Sequence, residues 1–275
     1  MRKEIKMLIT DLDGTLTVAK DLVSEKNISA LEKLGEENIT RVVATGRSYF
    51  SMKKFIPDDF PIDYLIFSTG VGIMNWNTKK IINKISLENK YVEKCIEILT
   101  ESNFDFMVHY PVPENHKFKY YSSGKTNHDF NHRIEYNKNF AEEFRGNWYG
   151  DASQLVVVLS ESDEKLFENV RNKLAFAQII KTTSPINNKS IWMEIFKKGV
   201  TKAHGAAILS ELLKIEPTEI VSIGNDYNDI ELLDWSGTSY ILANAPQQLK
   251  LKYKNGLNNF EDGFAEVVNK YFRFL

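Results

Sequence analysis

Residues 9–15 read Ile-Thr-Asp-Leu-Asp-Gly-Thr and complete a short apolar run that begins at Ile5. The run predicts a buried strand, with two carboxylates at its end. Side chains two residues apart in an extended segment project to the same side, so Asp11 and Asp13 are expected to converge on one point. Like charges this close repel each other unless a cation or a proton resolves the repulsion. The stretch therefore predicts a divalent-metal site at the strand end, with an ordinary Asp/Gly turn as the alternative.

The segments that follow this stretch alternate between helix and strand. A helix is expected after the N-cap Ser24, then a strand over 39–44, a helix through Phe50 and Phe55, and a strand over 64–67. The same rhythm returns with a helix over about 201–214, strands over 219–223 and 239–242, and a final helix over 263–272. Alternation of this kind predicts a parallel sheet with helices on both faces, whose ligand site lies beyond the carboxyl ends of the strands.

Between these two segments the pattern changes to that of an α+β module. A hairpin is expected over 72–81, a helix over 87–102, and strands over 104–110, 118–122, 154–159, 178–183 and 191–196, whereas 124–151 has no clear assignment. The predicted fold class is therefore α/β, a doubly wound parallel-sheet core with an inserted α+β cap domain. The core is assigned to residues 1–82 and 190–275, and the cap to residues 83–189.

Composition narrows the class of function. The chain has 275 residues and a formal net charge of −2, so nucleic acid is not an expected partner. No apolar run approaches the roughly 20 residues that span a bilayer, and the first residues lack the apolar region of a signal peptide. Cys95 is the single cysteine and is interpreted as a buried helix residue, which fits a reducing cytoplasm. We expect a cytoplasmic monomer or small homo-oligomer that does not bind membranes.

Four polar clusters fall at predicted strand ends or helix starts, far apart in the sequence. They are Asp11 with Asp13, Thr45, Lys202, and the group Asn225, Asp226 and Asp229. In a doubly wound sheet all four are expected to meet at one edge. Together they supply a nucleophilic carboxylate, a second carboxylate for proton transfer, donors for an oxyanion, and oxygens for Mg2+. This inventory fits phosphoryl transfer, which needs mainly positioning and charge neutralisation.

The same clusters resemble the four motifs of the haloacid dehalogenase-like (HAD) phosphohydrolases, the first of which reads D-x-D-G-T. The resemblance implies that Asp11 attacks phosphorus to form an aspartyl-phosphate and that Asp13 is the general acid and base. It also implies that the backbone carbonyl of Asp13 binds Mg2+. Thr45, followed by Gly46 and Arg47, matches motif two, whose hydroxyl donates to the phosphoryl group. Lys202 matches the lysine of motif three, which balances the charge of phosphate and nucleophile.

Residues 224–229 resemble motif four, the acidic metal loop, with one departure. The usual pattern is G-D-x-x-N-D, whereas here Asn225 fills the first acidic position and Asp226 follows it. An asparagine oxygen can bind Mg2+ but brings no charge, so both residues are candidate direct ligands, and Asp226 ranks slightly higher on charge. Asp229 is expected to act on the metal indirectly. The full set of metal candidates is Asp11, Asp13, Asn225, Asp226 and Asp229.

The resemblance also implies a set of phosphate and substrate contacts. The phosphate-binding candidates are Leu12, Thr45, Gly46, Lys202 and Asn228, and the candidate substrate contacts are Arg47, Thr69 and Gly70. Relatives often have Asn-Gly where this chain has Thr69-Gly70. A cap after the third strand, together with Asn244-Ala245-Pro246, resembles the Cof-type branch of the family. Its members mostly dephosphorylate sugar phosphates and other small phosphorylated metabolites.

The leading hypothesis is a Mg2+-dependent phosphatase acting on a small phosphate monoester, most of all a sugar phosphate. One alternative is a phosphomutase of the same superfamily. Another is a non-catalytic regulatory module in which Asp11 only accepts phosphate, and Asp13 argues against it because a second carboxylate promotes turnover. A dinucleotide-binding enzyme is disfavoured, since no G-x-G-x-x-G follows the first strand.

Overall fold

The computed structural model describes residues 4–146, 148, 150–159, 164–183 and 190–273. The chain divides into two compact units, which we call the core unit (Met1–Lys84 with Thr201–Leu275) and the inserted unit (Ile85–Val200). Within the described ranges, no helix combines the length and the apolar character needed to cross a membrane.

The elements alternate along the chain much as the sequence predicts. The strands are β1 (Met7–Thr10), β2 (Thr17–Ala19), β3 (Leu22–Val23), β4 (Thr40–Ala44), β5 (Tyr64–Phe67), β6 (Gly72–Asn75), β7 (Lys80–Lys84), β8 (Phe106–His109), β9 (Phe118–Tyr121), β10 (Ala141–Glu143), β11 (Gln154–Leu159), β12 (Ala177–Thr183), β13 (Ile191–Lys197), β14 (Ile220–Gly224), β15 (Thr238–Ile241) and β16 (Lys254–Asn255). The helices are α1 (Glu25–Glu36), α2 (Tyr49–Met52), α3 (Asn89–Glu101), α4 (His128–Tyr136), α5 (Glu164–Lys173), α6 (Lys202–Leu213), α7 (Ile230–Trp235), α8 (Gln247–Lys250) and α9 (Gly263–Phe272).

The core unit is built on an eight-stranded sheet in the order β16-β15-β14-β1-β4-β5-β6-β7. The strands from β16 to β5 run parallel, and β6 and β7 continue the sheet as an antiparallel edge. Every residue of β1 is buried, as expected for a central strand covered on both faces. The predicted α/β fold class is confirmed. The carboxyl ends of β1, β4, β5 and β14 share one edge, so the loops that follow them meet there.

The inserted unit contains a six-stranded, mostly antiparallel sheet in the order β10-β9-β8-β11-β13-β12. Helices α3 and α5 cover one face through Val92, Cys95 and Phe167, among others. Helix α4 packs on the other face through Phe130. Strand β13 pairs with β11 and β12 in this sheet, although the sequence assigned residues 190–200 to the core segment. Sequence periodicity identifies a strand but not the partners with which it pairs.

Cys95 is fully buried on α3. Burial raises the pKa of its thiol to about 12, so the thiolate is scarce at neutral pH. This burial agrees with the structural role given to Cys95 from the sequence.

The helix expected through Phe50 and Phe55 is shorter in the structure and ends at Met52. Pro57 and Pro61 follow closely, and proline opposes helical continuation in the residues before it. The chain between α2 and β5 is therefore a loop.

Candidate active site

The loop after β1 turns sharply at the predicted metal site. The Asp11 backbone amide donates to the Ile223 carbonyl of β14 at 2.9 Å, which fixes the start of the loop. Gly14 has a φ of 74°, and a Cβ there would lie 2.6 Å from the side-chain nitrogen of Asn225. Only glycine fits both the left-handed backbone and the close approach. The glycine of the motif therefore lets the loop after β14 come close to Asp11.

Lys202 is the cation of the site. Its side chain is fully buried, and its Nζ lies 2.5 Å from Asp11 Oδ1 and 2.6 Å from Asp229 Oδ1. Thr201 places it by capping α6, since its hydroxyl accepts a hydrogen bond from the His204 amide at 3.1 Å. A buried ammonium is costly unless it is paired, and here two carboxylates pair with it.

The pKa values of this group follow from burial and from charge. Burial raises the pKa of the Asp11 carboxyl to about 7, against the opposing charge of Lys202, and the neighbouring Asp229 and Asp13 charges add to the rise. For Lys202 burial alone would lower the pKa, but Asp11 and Asp229 outweigh it, so the pKa is raised. Lys202 is therefore a permanent cation at neutral pH.

Asp229 joins Lys202 to the loop after β14. Its carboxylate is fully buried, and its Oδ2 accepts the backbone amides of Asn225 at 2.8 Å and Asp226 at 3.1 Å. The Asp226 side chain in turn accepts the Asp229 backbone amide and so caps the short helix over 227–229. Asp229 is thus placed to position Lys202 and the loop, and the Asp226 carboxylate already serves as a cap.

The Asn225 carboxamide lies beside the two motif-one aspartates. One of its two terminal atoms is 3.2 Å from Asp11 Oδ2, 3.2 Å from the Asp13 carbonyl oxygen and 3.1 Å from Thr15 Oγ1. Octahedral Mg2+ holds neighbouring oxygens about 3 Å apart, so an Asn225 oxygen in this position has the spacing of a neighbouring ligand both from the Asp11 carboxylate oxygen and from the Asp13 carbonyl oxygen. Among the described residues, no three His, Cys, Asp or Glu side chains stand together as a metal-binding group. The donor set is therefore a mixed one.

The loops after β4 and β5 form a second part of the site. The Thr45 hydroxyl accepts the Arg47 backbone amide at 3.0 Å, and the Thr69 amide donates to the Thr45 carbonyl at 3.0 Å. A Cβ on Gly46 would have as nearest neighbours Thr69 Oγ1 at 3.6 Å and Asn228 Nδ2 at 3.9 Å. The absence of a side chain at Gly46 thus leaves a small space that a hydroxyl and an amide border. Hydrogen-bonding groups of this kind suit an anion.

Thr69 has a left-handed backbone, with a φ of 58°, and is fully buried. A β-branched residue seldom takes this conformation, and it costs free energy of order 1–3 kcal/mol. Gly70 follows with a φ of 101°, and a Cβ there would lie 2.2 Å from the Thr201 carbonyl oxygen. The turn therefore presses against the start of α6, the helix that carries Lys202.

Arg47 binds Asp13 rather than standing free for a substrate. Its Nε lies 3.0 and 2.8 Å from the two carboxylate oxygens of Asp13, and its Nη2 lies 2.5 Å from Oδ1. Its Nη1 bonds Asp21 at 2.7 Å, and the guanidinium lies over the Phe55 ring at 4.6 Å. Asp13 remains open to solvent, with 46% of its side chain exposed. Arg47 therefore fixes the orientation of Asp13.

Sequence reasoning named most of these residues but assigned no role to Asp21, Phe55 or Asn244. Asn244 Nδ2 donates to the Gly14 carbonyl at 2.8 Å, and the Asn-Ala-Pro stretch that contains it was the signal. Asp21 and Phe55 gave no signal, because only the folded loops bring them to Arg47. Of the predicted phosphate contacts, Leu12 is buried, and its carbonyl accepts the Thr17 hydroxyl at 3.1 Å.

A family model for haloacid dehalogenase-like hydrolases matches residues 8–268. The chain belongs to that family. The predicted membership of the HAD superfamily is confirmed, as is the predicted class of enzyme, a hydrolase. The names of relatives agree with hydrolysis of phosphoric monoesters.

The chain is similar to the 5-amino-6-(5-phospho-D-ribitylamino)uracil phosphatase YbjI of Escherichia coli (strain K12). It is 26% identical over 275 residues, which cover 97% of this chain and 96% of the relative. Among solved structures, the HAD phosphatase BT1666 of Bacteroides thetaiotaomicron superposes with a TM-score of 0.80 at 20% identity, covering 98% and 96% of the two chains. The HAD subclass IIB sugar phosphatase BT4131 superposes with a TM-score of 0.76 at 19% identity, covering 98% and 100%. These superpositions show the shared fold.

Proposed function

We propose that this HAD protein is a Mg2+-dependent phosphatase that hydrolyses small phosphate monoesters through an aspartyl-phosphate on Asp11. One observation carries the proposal. The buried Asp11 carboxylate has Lys202 Nζ 2.5 Å from one oxygen, while its other oxygen lies 3.2 Å from an end of the Asn225 carboxamide that is also 3.2 Å from the Asp13 carbonyl oxygen. A nucleophilic carboxylate that carries a cation on one side and oxygen ligands on the other suits attack on a phosphate dianion.

In the first half of the proposed reaction Asp11 attacks phosphorus. The bond from phosphorus to the ester oxygen breaks, and Asp13 gives its proton to the departing alcohol. In the second half Asp13 takes a proton from water, which attacks phosphorus; the bond from phosphorus to the Asp11 oxygen breaks, and inorganic phosphate and the free Asp11 carboxylate are released. The proton balance closes, because Asp13 returns to its starting state. Lys202 neutralises negative charge throughout.

The oxygens of Asp11, Asp13 and Asn225 would hold Mg2+, which when bound supplies positive charge to the phosphoryl oxygens. The donors around Gly46 would receive the phosphoryl group. Thr69 Oγ1 and Asn228 Nδ2 border that space, and Thr45 holds the loop in which Gly46 lies. These roles for Thr45, Gly46, Thr69 and Asn228 are part of the proposal.

Arg47 has a proposed role in orienting Asp13. Bidentate pairing with a guanidinium fixes the plane and the direction of a carboxylate. Arg47 would therefore hold Asp13 in the orientation from which it exchanges a proton with the leaving group and then with water.

The proposed substrate class is phosphate esters of sugars and polyols. BT4131 is named a sugar phosphatase, and the substrate named for YbjI carries a phosphorylated ribityl chain. Both names describe a phosphate on a hydroxylated carbon chain. The cytoplasmic location and the monomeric or small homo-oligomeric state stay predictions from the sequence.

Phosphate release from a panel of sugar phosphates, polyol phosphates, nucleotides and p-nitrophenyl phosphate tests the proposal. We expect release with Mg2+, none with chelator, and loss in Asp11→Asn but not in the exposed control Asp58→Asn. Phosphate that moves to another position of a retained sugar would instead identify a phosphomutase. No release and no transfer, with the protein folded and Mg2+ bound, would overturn the catalytic proposal.

A further inference from the structure

The Asn225 carboxamide stands between two sets of polar atoms. Its inner end lies 3.2 Å from both Asp11 Oδ2 and the Asp13 carbonyl oxygen. Its outer end lies 3.2 Å from Asn244 Nδ2, which is itself held by its 2.8 Å bond to the Gly14 carbonyl. An amide has an oxygen at one end and an NH2 group at the other, so the two ends can be exchanged by a half turn.

The two orientations differ in the contacts they make. With Oδ1 inward, three acceptor oxygens face one another, and Asn225 Nδ2 faces the Nδ2 of Asn244. With Nδ2 inward, the amide donates to Asp11 Oδ2 and to the Asp13 carbonyl, and Oδ1 accepts from Asn244 Nδ2. The Thr15 hydroxyl, 3.1 Å away, serves either orientation because it can donate or accept. The inward-oxygen orientation needs a cation, whereas the inward-nitrogen orientation is satisfied by the protein alone.

We infer that the Asn225 amide turns over with cation occupancy, and that Asn244 is the positioning residue that stabilises the cation-free orientation. Without a divalent cation, Nδ2 points inward and takes the cation's place between Asp11 and Asp13. With the cation, Asn225 Oδ1 points inward as a ligand. The hydrogen bond from Asn244 Nδ2 to Asn225 Oδ1 is then lost. The inference rests on the cation site of the proposed function.

An aspartate at position 225 cannot perform this exchange, since a carboxylate has no hydrogen to donate. It would add a fourth negative charge beside Asp11, Asp13 and Asp229. The repulsion among these carboxylates would then be relieved only when a cation binds. The asparagine therefore keeps the loop joined to Asp11 in the absence of the cation, and it sets a weaker cation affinity than aspartate would. The cation concentration at which the site fills therefore depends on both Asn225 and Asn244.

Side-chain amide NMR on the 15N-asparagine-labelled wild-type protein tests the turnover directly. The Asn225 signal pair is identified by its loss in Asn225→Asp. We expect its hydrogens to be protected from exchange in EDTA, where they donate to Asp11 and Asp13, and to exchange at least about tenfold faster with saturating Mg2+. Equal protection in both conditions, with Mg2+ shown by calorimetry to bind, would overturn the inference. Asn225→Asp serves only to assign the signal pair, and both exchange rates are measured on the wild-type protein.

Direct Mn2+ binding, followed by electron paramagnetic resonance of the free ion, tests the role of Asn244. We expect Asn225→Asp to bind Mn2+ about tenfold more tightly or better. Asn244→Ala should bind it roughly two- to tenfold more tightly, because the variant lacks the one neutral hydrogen bond that stabilises the cation-free orientation. Asn255→Ala, which removes an exposed amide on the neighbouring edge strand β16, is the control and should bind as the wild type does.

An Asn244→Ala protein that binds Mn2+ equally or more weakly than the wild type would overturn the role of Asn244, because a merely structural asparagine beside Gly14 would loosen the site. Failure of the wild type and of Asn225→Asp alike to bind Mn2+ would overturn the cation site of the proposed function itself. The two failures are therefore distinguishable.

Discussion

Lys202 Nζ lies 2.5 Å from Asp11 Oδ1, and both side chains are withdrawn from solvent. The pair links the first residue of α6 to the end of β1 across 191 positions of sequence. A third buried charge, Asp229, completes it at 2.6 Å. The core unit therefore keeps two carboxylates and one ammonium in its interior, an arrangement whose members depend on one another.

Replacing Lys202 by methionine should cost both stability and catalysis. Asp11 and Asp229 would remain buried without their cation, and breaking a buried pair in this way costs about 3–5 kcal/mol of unfolding free energy. Urea unfolding measures the loss. The double variant Lys202→Met with Asp229→Asn should recover part of the stability and none of the phosphatase activity. Full stability in Lys202→Met would contradict the pairing.

Replacing Arg47 by lysine should lower kcat more than it raises KM. A lysine cannot reproduce the two-pronged contact with the Asp13 carboxylate, so Asp13 loses its orientation while the substrate site is kept. We expect a fall in kcat of about 10- to 100-fold, within the range of general acid–base contributions. Asp21→Asn removes only the second anchor of Arg47 and should have a smaller effect. A rise in KM with kcat unchanged would instead mark Arg47 as a substrate contact, as the sequence suggested.

Replacing Thr69 by glycine should raise the free energy of unfolding and also raise KM for the substrate. The left-handed backbone at this buried threonine is strained, and its relief is worth about 1 kcal/mol. The hydroxyl beside Gly46 would be lost at the same time. Urea unfolding and KM measure the two effects. Lys214→Gly, at another left-handed position with a φ of 55°, is the control, since it should relieve strain with activity unchanged. Lower stability in Thr69→Gly would show that the contacts of the hydroxyl outweigh the strain.

His109 should make the inserted unit sensitive to acid. Burial, with the nearby charge of Arg133, lowers the pKa of His109 to about 3. In the unfolded chain His109 binds a proton below about pH 6.5, whereas in the folded chain it stays neutral down to about pH 3. The free energy of unfolding is therefore unaffected by His109 above pH 6.5 and falls as the pH drops from 6.5 towards 3. The slope is about 1.4 kcal/mol of unfolding free energy per pH unit.

Urea unfolding between pH 6 and pH 4.5 measures this slope. The wild type should lose on the order of 2 kcal/mol more than His109→Gln over that interval. His132→Gln changes an exposed histidine of the same unit and should follow the wild type. Parallel slopes for the wild type and His109→Gln would contradict the buried neutral state of His109.

Much of this fold follows from local sequence. The final helix over 263–272 coincides with its predicted bounds, because its apolar residues recur with helical period and burial then selects that face. The Ser24 cap is also local, since its hydroxyl accepts the Asn27 amide three residues on. Polar clusters at predicted strand ends also identified the loops that the parallel sheet brings together.

Other features depend on contacts that local sequence does not specify. The strand over 191–197 was recognised, but its partners in the inserted unit depend on the pairing of distant strands. The bond between Arg47 and Asp13 joins loops 34 positions apart, and the same loops bring in Asp21. The choice between Asn225 and Asp226 as ligand was ranked on charge, whereas the structure sets the Asn225 carboxamide beside Asp11 and uses Asp226 as a cap.

Asp11 is proposed to carry phosphate during turnover, and trapping of the aspartyl-phosphate tests this role. The protein is mixed with its best substrate and Mg2+, quenched in acid and digested, and the peptide that contains Asp11 is analysed by mass spectrometry. Asp13→Asn is included with p-nitrophenyl phosphate, whose leaving group departs without a proton, because slow attack by water should then let the intermediate accumulate. We predict phosphate on Asp11, formed at least as fast as turnover and absent with chelator. Continued hydrolysis in Asp11→Asn, or steady turnover with no phosphate on Asp11, would contradict the account.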